Sequence, residues 1–389
     1  MAYLSTGEVA RRLGVKPETV YAYVSRGLLT SVPRRDGRRG SLFAEDEVAA
    51  VAERGPHRRR SGGDIHTELT RLGDDGLFYR GRDVAGLAAT MTPEAVAHLL
   101  WTGEEGERSP FPAPAERVAL ARAVTSALPD SARLTDRVRV AVVAMGAADP
   151  LRFDLSTGAV VRTAEQLMGV LVDALAPPSA LSALSNAAGG GLGRRLWPAL
   201  SPYPEPPGLL DAALVLLADH GLAVSTVAAR VAASARAHPY AVVSAALGAL
   251  DGHYHGAASG LAYRFLADAR RDPVGAMSER MRAGEGLPGF GHRIYRRRDP
   301  RASVLLALLR ERPEAAPIMA TVDAVLDNLD PDRGQFPNAD LALAALMHAY
   351  GMPADAGETI FAVARTVGWV AHAIEEYAEP PLRLRPLAD

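Results

Sequence analysis

The 389-residue sequence has no cysteine, which excludes disulfides, thiolate nucleophiles and cysteine-ligated zinc or iron–sulfur centres. No stretch approaches the roughly 18 uninterrupted apolar residues of a membrane span. The N-terminus also lacks the basic-then-apolar pattern of a secretory leader. A cytoplasmic chain without membrane attachment is therefore expected. Lysine is nearly missing, Lys16 being the only one among 43 basic residues. Together with heavy Ala, Gly and Pro use, this reads as a compositional bias of the genome and carries no functional signal. Nor does charge of one sign dominate. The net charge is −2, but residues 1–60 hold 12 Lys/Arg against 7 Asp/Glu, a balance of +5 that leaves −7 on the remainder. A small basic segment joined to a larger acidic body suggests two jobs.

The chain is long enough for two or three domains, and its 48% apolar content can fill a sizeable core. Residues 1–53 read as a small module. Ser5-Thr6-Gly7-Glu8 fits a capping box at a helix start, Val9, Ala10 and Leu13 give that helix an apolar face, and Gly14 can end it. Pro17 suits the first turn of a second helix through Val20 and Val24 that stops near Gly27. Two short helices joined by a tight turn make a helix-turn-helix. Asp36-Gly37 then favours a hairpin tip, flanked by Arg34, Arg35, Arg38 and Arg39, and Phe43 leads into further helix from about Glu45. The segment resembles the excisionase/MerR-like winged helix-turn-helix, which implies DNA contact. Residues 54–63 read as a linker.

From residue 64 onward the periodicity is mainly helical. Leu209–Ala237, Thr321–Leu329, Leu341–Tyr350 and Thr359–Tyr377 carry apolar residues at three-to-four spacing. Asp64–Thr70 and Gly76–Arg82 suit short strands. No strands alternate with helices as a parallel sheet requires, so the expected class is all-α. Residues 177–208 read as a long loop. Its Gly189-Gly190-Gly191-Leu192-Gly193 follows no apolar strand and makes a poor phosphate-binding fingerprint.

Four segments place ionisable residues beside glycine or proline in apolar surroundings. They are Asp219-His220-Gly221, Gly252-His253-Tyr254-His255-Gly256, Gly289-Phe290-Gly291-His292 running on to Asp299-Pro300-Arg301, and Pro337-Asn338-Ala339-Asp340. Arg365 and Arg385 follow. Singly, each has a plain structural explanation: His220 as a core histidine on a backbone carbonyl, Asp340 as a helix N-cap, Arg365 as the partner of Glu375. His253 and His255 stand two residues apart, a spacing that suits metal ligation only on a strand or loop. The run from Arg293 to Arg301 can be a solvated basic face.

Their joint order is more specific. Gly76-Leu77-Phe78-Tyr79-Arg80-Gly81-Arg82-Asp83, the stretch Gly289–Arg301 and Ala364-Arg365-Thr366-Val367-Gly368-Trp369-Val370-Ala371-His372 resemble, in order, three elements of the citrate synthase family, 2-methylcitrate synthases included. The likeness runs from about Ile65 almost to the C-terminus. It implies a large helical domain over 64–256 and 357–389 and a small one over 257–356, with a site in the cleft between them. It implies condensation of acetyl-CoA with oxaloacetate in a homodimer or higher even oligomer, with no metal or organic cofactor. Asp340 would be the base, His255 the donor to the thioester oxygen, and His292 the acid on the ketone. His220, Arg301, Arg365 and Arg385 would hold the oxoacid carboxylates, Arg385 from the partner subunit, and Arg296 would meet a CoA phosphate.

The chain departs from the family pattern in places. Gly221 stands where the family has Glu, and Ala223 where it has Asn. The family's G-P-L-H-G-G-A-N element is here Gly252-His253-Tyr254-His255-Gly256-Ala257-Ala258-Ser259. These departures leave propionyl-CoA, another 2-oxoacid, or a DNA-binding regulator with a synthase-like sensor body as alternatives.

Overall fold

The computed structural model describes residues 3–13, 17–25, 29–33, 41–48, 65–73, 76–177, 179, 190–252, 255–329 and 334–384. They belong to two compact units, one within residues 1–64 together with Leu384 and the other spanning 65–383.

The first unit has strand Tyr3–Ser5, helices Thr6–Leu13 and Pro17–Ser25, and strands Val32–Pro33 and Ser41–Ala44. Ser41–Ala44 is the central strand of an antiparallel sheet, with Tyr3 opposite Ala44 and Val32 opposite Leu42. At the first helix start, the Ser5 amide and hydroxyl donate to the Glu8 carboxylate at 2.8 and 2.7 Å. Pro17 opens the second helix, where its fixed φ costs nothing. Val9, Ala10 and Leu13 meet Val20 and Tyr23 over Leu29, Phe43 and Val48, giving the module its own core. Helical residues resume at Glu45. Val32–Pro33 and Ser41–Ala44 pair as the arms of the expected hairpin. Arg34, Arg35, Arg38 and Arg39 lie outside the described residues.

The second unit is helical apart from one small antiparallel meander of Thr70–Leu72, Leu77–Tyr79 and Arg82–Asp83. The strand expected over 64–70 begins only at Thr70. Before it, the Glu68 amide is drawn to Glu375 (3.0 Å) and not to a neighbouring strand. The stretch 209–237 is not one run of helix but two, Leu209–Leu217 and Val224–Ser234. Between them Gly221 turns with φ +61°, a left-handed conformation open to glycine at little cost. A side chain there would be strained.

The expected long loop also contains a helix, Leu192–Leu200. Its starting amides are satisfied from afar: Leu192 N–H donates to Glu94 (2.8 Å) and Gly193 N–H to Asp211 (3.0 Å). Two carboxylates of the chain thus hold amides that a phosphate would need. The remaining expected helices are present as Ala316–Leu326, Ala339–Ala349 and Ala356–Ala378. The last is buried on almost every face and packs on Leu209–Leu217, Val224–Ser234 and Pro239–Leu250. Among the described residues, no helix is long and apolar enough to cross a membrane.

Candidate active site

Two glycine-punctuated segments meet at Asp340. Gly291 N–H donates to Phe336 O (2.8 Å), Asn338 N–H to Gly289 O (2.9 Å), and the Asn338 amide to Gly291 O (3.0 Å). Gly289 has φ +86°, and a Cβ there would lie 2.8 Å from the Leu341 Cβ, so only glycine permits this approach. The N-cap of the Ala339–Ala349 helix is Asn338, whose Oδ1 accepts from Asp340 N (3.0 Å) and Leu341 N (3.3 Å). Asp340 is therefore not the cap. It stands one position into the helix, and no described residue hydrogen-bonds its carboxylate. Burial pushes that carboxyl up to about 6, against the pull of Arg301 and with the help of Asp299.

Arg301 opens the Pro300–Arg310 helix, almost wholly buried. Asp299 grips it with Oδ1 on Nε (3.0 Å) and Oδ2 on a terminal nitrogen (2.7 Å), a bidentate pair. The same Oδ2 accepts from Ala339 N (3.0 Å), tying the arginine to the Asp340 helix. Burial alone would raise the Asp299 carboxyl, but Arg301 holds it below its ordinary range.

His292 accepts at Nδ1 from Ile294 N (3.1 Å) and Tyr295 N (3.3 Å). Burial and then Arg301 lower it to about 4. It is thus a neutral imidazole whose proton is assigned to Nε2. An Arg301 terminal nitrogen lies 3.5 Å from that Nε2. Two N–H donors facing each other do not bond, and both stay open to an acceptor.

His220 sits in the turn after Leu209–Leu217, its ring edge-on to His292 at 5.2 Å. It does not bond a backbone carbonyl; Nε2 meets the Tyr295 hydroxyl at 3.0 Å. Burial, followed by Arg301, Arg365 and His292, holds its pKa well below the usual histidine range. The buried Tyr79 of the Gly76–Asp83 motif fixes this turn, its hydroxyl donating to Asp219 O (2.9 Å) and accepting from Asp219 N (3.0 Å). The Asp219 side chain accepts from Gly221 N (2.9 Å) and lies 3.4 Å from His372 Nε2.

Arg365 does not pair with Glu375, which binds Arg230 instead (2.6 Å). Its Nε donates to Leu217 O (2.9 Å), and one terminal nitrogen is buried without a partner. Its guanidinium lies 4.5 Å over the Phe361 ring, and Phe361 stands edge-on to His255 at 5.9 Å. His255 lies between helices Pro239–Leu250 and Ala258–Ala269, Nε2 at 2.8 Å from the Ser225 hydroxyl. Trp369 Nε1–H donates to the same oxygen (3.2 Å). The buried hydroxyl hydrogen then has His255 Nε2 as its acceptor, which leaves the imidazole proton on Nδ1. Burial, then Arg365, lowers His255 as well.

The cluster thus holds three neutral histidines, each with one N–H, and two buried arginines that carry its positive charge. One of those is only partly paired. A buried guanidinium nitrogen without a partner is costly, and an anionic ligand relieves the cost. Sequence reasoning quoted Tyr79, Tyr295 and Asp299 within motifs but gave them no role, and missed Ser225; all four hold the others in place. Arg296 lies exposed on the loop before Pro300; Arg385, His253 and Tyr254 fall outside the described residues. A surface concavity of about 860 Å³ around Arg194, Trp197, Tyr203 and Asp211 shares no residue with this cluster.

Residues 63–387 match the family described as citrate synthase, C-terminal domain, and residues 3–56 match a helix-turn-helix domain. The citrate synthase of Haloferax volcanii is 39% identical over 184 residues, 46% of this chain, which spans about half (48%) of that relative's length. The 2-methylcitrate synthase 2 of Corynebacterium glutamicum is 29% identical over 341 residues, covering 80% of this chain and 88% of that protein. Among solved structures, the ternary complex of Thermoplasma acidophilum citrate synthase with carboxymethyl coenzyme A and oxaloacetate gives a TM-score of 0.66 at 23% identity. That likeness, covering 83% of this chain and 92% of the other, is one of fold.

Proposed function

The chain belongs to the citrate synthase family, and from that premise we propose that it condenses acetyl-CoA with oxaloacetate and hydrolyses the citryl-CoA formed. The observation that carries this reading is the grouping of His220 edge-on to His292 at 5.2 Å, with Arg301 3.5 Å from His292 Nε2, both arginines acting on neutral His220, and Asp340 reached by the field of Arg301. A dicarboxylate with a keto group between its acids needs cations at its ends and an uncharged donor at its carbonyl.

In this sequence Asp340 removes a proton from the thioester methyl, and its raised pKa makes it a stronger base than an ordinary carboxylate. His255 Nδ1–H bonds the thioester oxygen as it becomes an enol oxygen. The enol carbon attacks the ketone, whose oxygen takes the proton of His292 Nε2. Water then cleaves the thioester and CoA leaves as the thiol. The sequence uses only acids, bases and hydrogen bonds, so no metal or organic cofactor is called for. Cleft closure between the expected large and small domains would keep water from the enol.

We further propose a homodimer. The Leu134–Ala148 helix exposes an apolar groove with Val140, Val143, Ala144 and Ala147, Val143 being 61% exposed. A second copy fits this face, because the expected site needs Arg385 from a partner. The longer match to a 2-methylcitrate synthase favours propionyl-CoA as a second reading. Mass analysis of products from oxaloacetate with each acyl-CoA in turn tests both. Citrate at the higher kcat/KM is expected, 2-methylcitrate at the higher value transfers the assignment, and neither product contradicts the proposal.

A further inference from the structure

Tyr295 lies between His292 and Arg301 in sequence and is 1% exposed. Its ring touches both histidines of the ketone site, tilted against His292 at 4.7 Å and edge-on to His220 at 5.5 Å. Two different groups of this one residue reach the two imidazoles: its main-chain N–H bonds His292 Nδ1 at 3.3 Å, and its hydroxyl meets His220 Nε2 at 3.0 Å.

We infer that Tyr295 is a positioning residue that sets opposite tautomers on these histidines, leaving His292 with its proton on Nε2 and His220 with its proton on Nδ1. For His292 the direction is fixed, because an amide N–H can only donate and the Ile294 amide donates beside it. For His220 it follows from satisfaction. If His220 donated from Nε2, the Tyr295 hydroxyl hydrogen would be buried with no acceptor among the described residues, at the cost of an unmade hydrogen bond. The hydroxyl therefore donates. Burial keeps the phenol protonated and the imidazole neutral, so both partners are in the right state.

This fixes which edge of each ring is offered to a ligand. His292 presents Nε2–H to the ketone oxygen, and His220 presents Nδ1–H to a carboxylate. With the other tautomer, His220 would turn a lone pair toward that carboxylate and repel it. The consequence for catalysis rests on the proposed condensation; the tautomers do not.

Tyr295→Phe removes only the hydroxyl and keeps both the ring and the amide on His292. It should raise KM for oxaloacetate about tenfold, the effect of losing one hydrogen bond to a charged group. kcat should stay within about threefold and KM for acetyl-CoA within about twofold. A merely structural role would move all three together. In a His220→Asn background the amide N–H stands where Nδ1–H stood and needs no partner to orient its proton. There Tyr295→Phe should change KM less than about twofold. Unchanged KM for oxaloacetate in the single variant, or the same penalty in both backgrounds, would overturn the inference. Should the variants fail to fold, a long-range proton–nitrogen NMR spectrum of the wild-type chain, labelled with [¹⁵N]histidine, decides it. His220, assigned by its loss in His220→Gln, should show Nδ1 protonated; a proton on Nε2 refutes the inference whether or not the chain makes citrate.

Discussion

Burial lifts the Asp340 carboxyl from the ordinary value near 3.9 to about 6 in the fold. Because the folded value lies above the unfolded one, this group's contribution to stability is fully present below about pH 4. It is lost as pH rises through about 6. At neutral pH the ionised carboxylate therefore works against folding. Asp340→Asn should raise the melting temperature at pH 7.5 and give no gain at pH 4, checked by thermal unfolding at both values. On the proposed mechanism the same shift should set the acid limb of activity. kcat/KM should fall tenfold per pH unit below about pH 6, since only the carboxylate accepts the methyl proton. Ser225→Ala should release the tautomer of His255 and lower turnover roughly tenfold at saturating substrates. The residues that the fold groups at the candidate site stood out in the sequence because their types, beside glycine and proline, recur in a fixed order. Those that hold them did not. Ser225 looks like any helix serine, and Asp299, which the structure shows to be an N-cap, drew notice only as part of its motif. Their second partners, His255 and Ala339, lie 30 and 40 residues away.

At the scale of elements, a buried chain of charges joins the helix Val224–Ser234 to the helix Ala356–Ala378. Arg230 Nε bonds Glu376 (3.0 Å) and another of its nitrogens meets His372 Nδ1 (3.0 Å), whose Nε2 faces Asp219 beside the site. Arg383 closes the far end on Glu376 through bonds of 2.8 and 2.6 Å. Removing one partner from a buried ion network leaves uncompensated charge, so Arg230→Met should cost about 3–5 kcal/mol in denaturant unfolding. A change under about 1 kcal/mol would show that water reaches the network. The helices Ala316–Leu326, Ala339–Ala349 and Ala356–Ala378 were readable because their apolar residues recur at three-to-four spacing. The break at 218–223 and the helix Leu192–Leu200 were not. The first depends on Tyr79 holding Asp219, and the second on Glu94 and Asp211 capping from distant segments. Glycine and proline marked only the chain's local freedom.

For the whole molecule, the module core of Val9, Val20 and Phe43 is separate from the larger core. Deleting residues 1–53 should therefore leave condensation activity intact. The isolated segment should shift DNA mobility at low salt and release it at moderate salt; no shift at low salt removes DNA from the account. If Arg385 serves the neighbouring site, Arg365→Ala and Arg385→Ala should both be poor enzymes, while co-refolded mixed dimers recover about a quarter of wild-type activity. Random pairing makes half the dimers mixed, each with one complete site. On the proposed function this chain joins an acyl-CoA to oxaloacetate using Asp340 as the carbon base. The direct measurement is oxaloacetate-dependent release of CoA thiol from acetyl-CoA, with wild type and Asp340→Asn side by side at matched secondary structure. The expected result is steady release by wild type and a loss of about 10²–10⁴-fold in the variant. Release that does not need oxaloacetate, or a folded variant turning over at the wild-type rate, would contradict it.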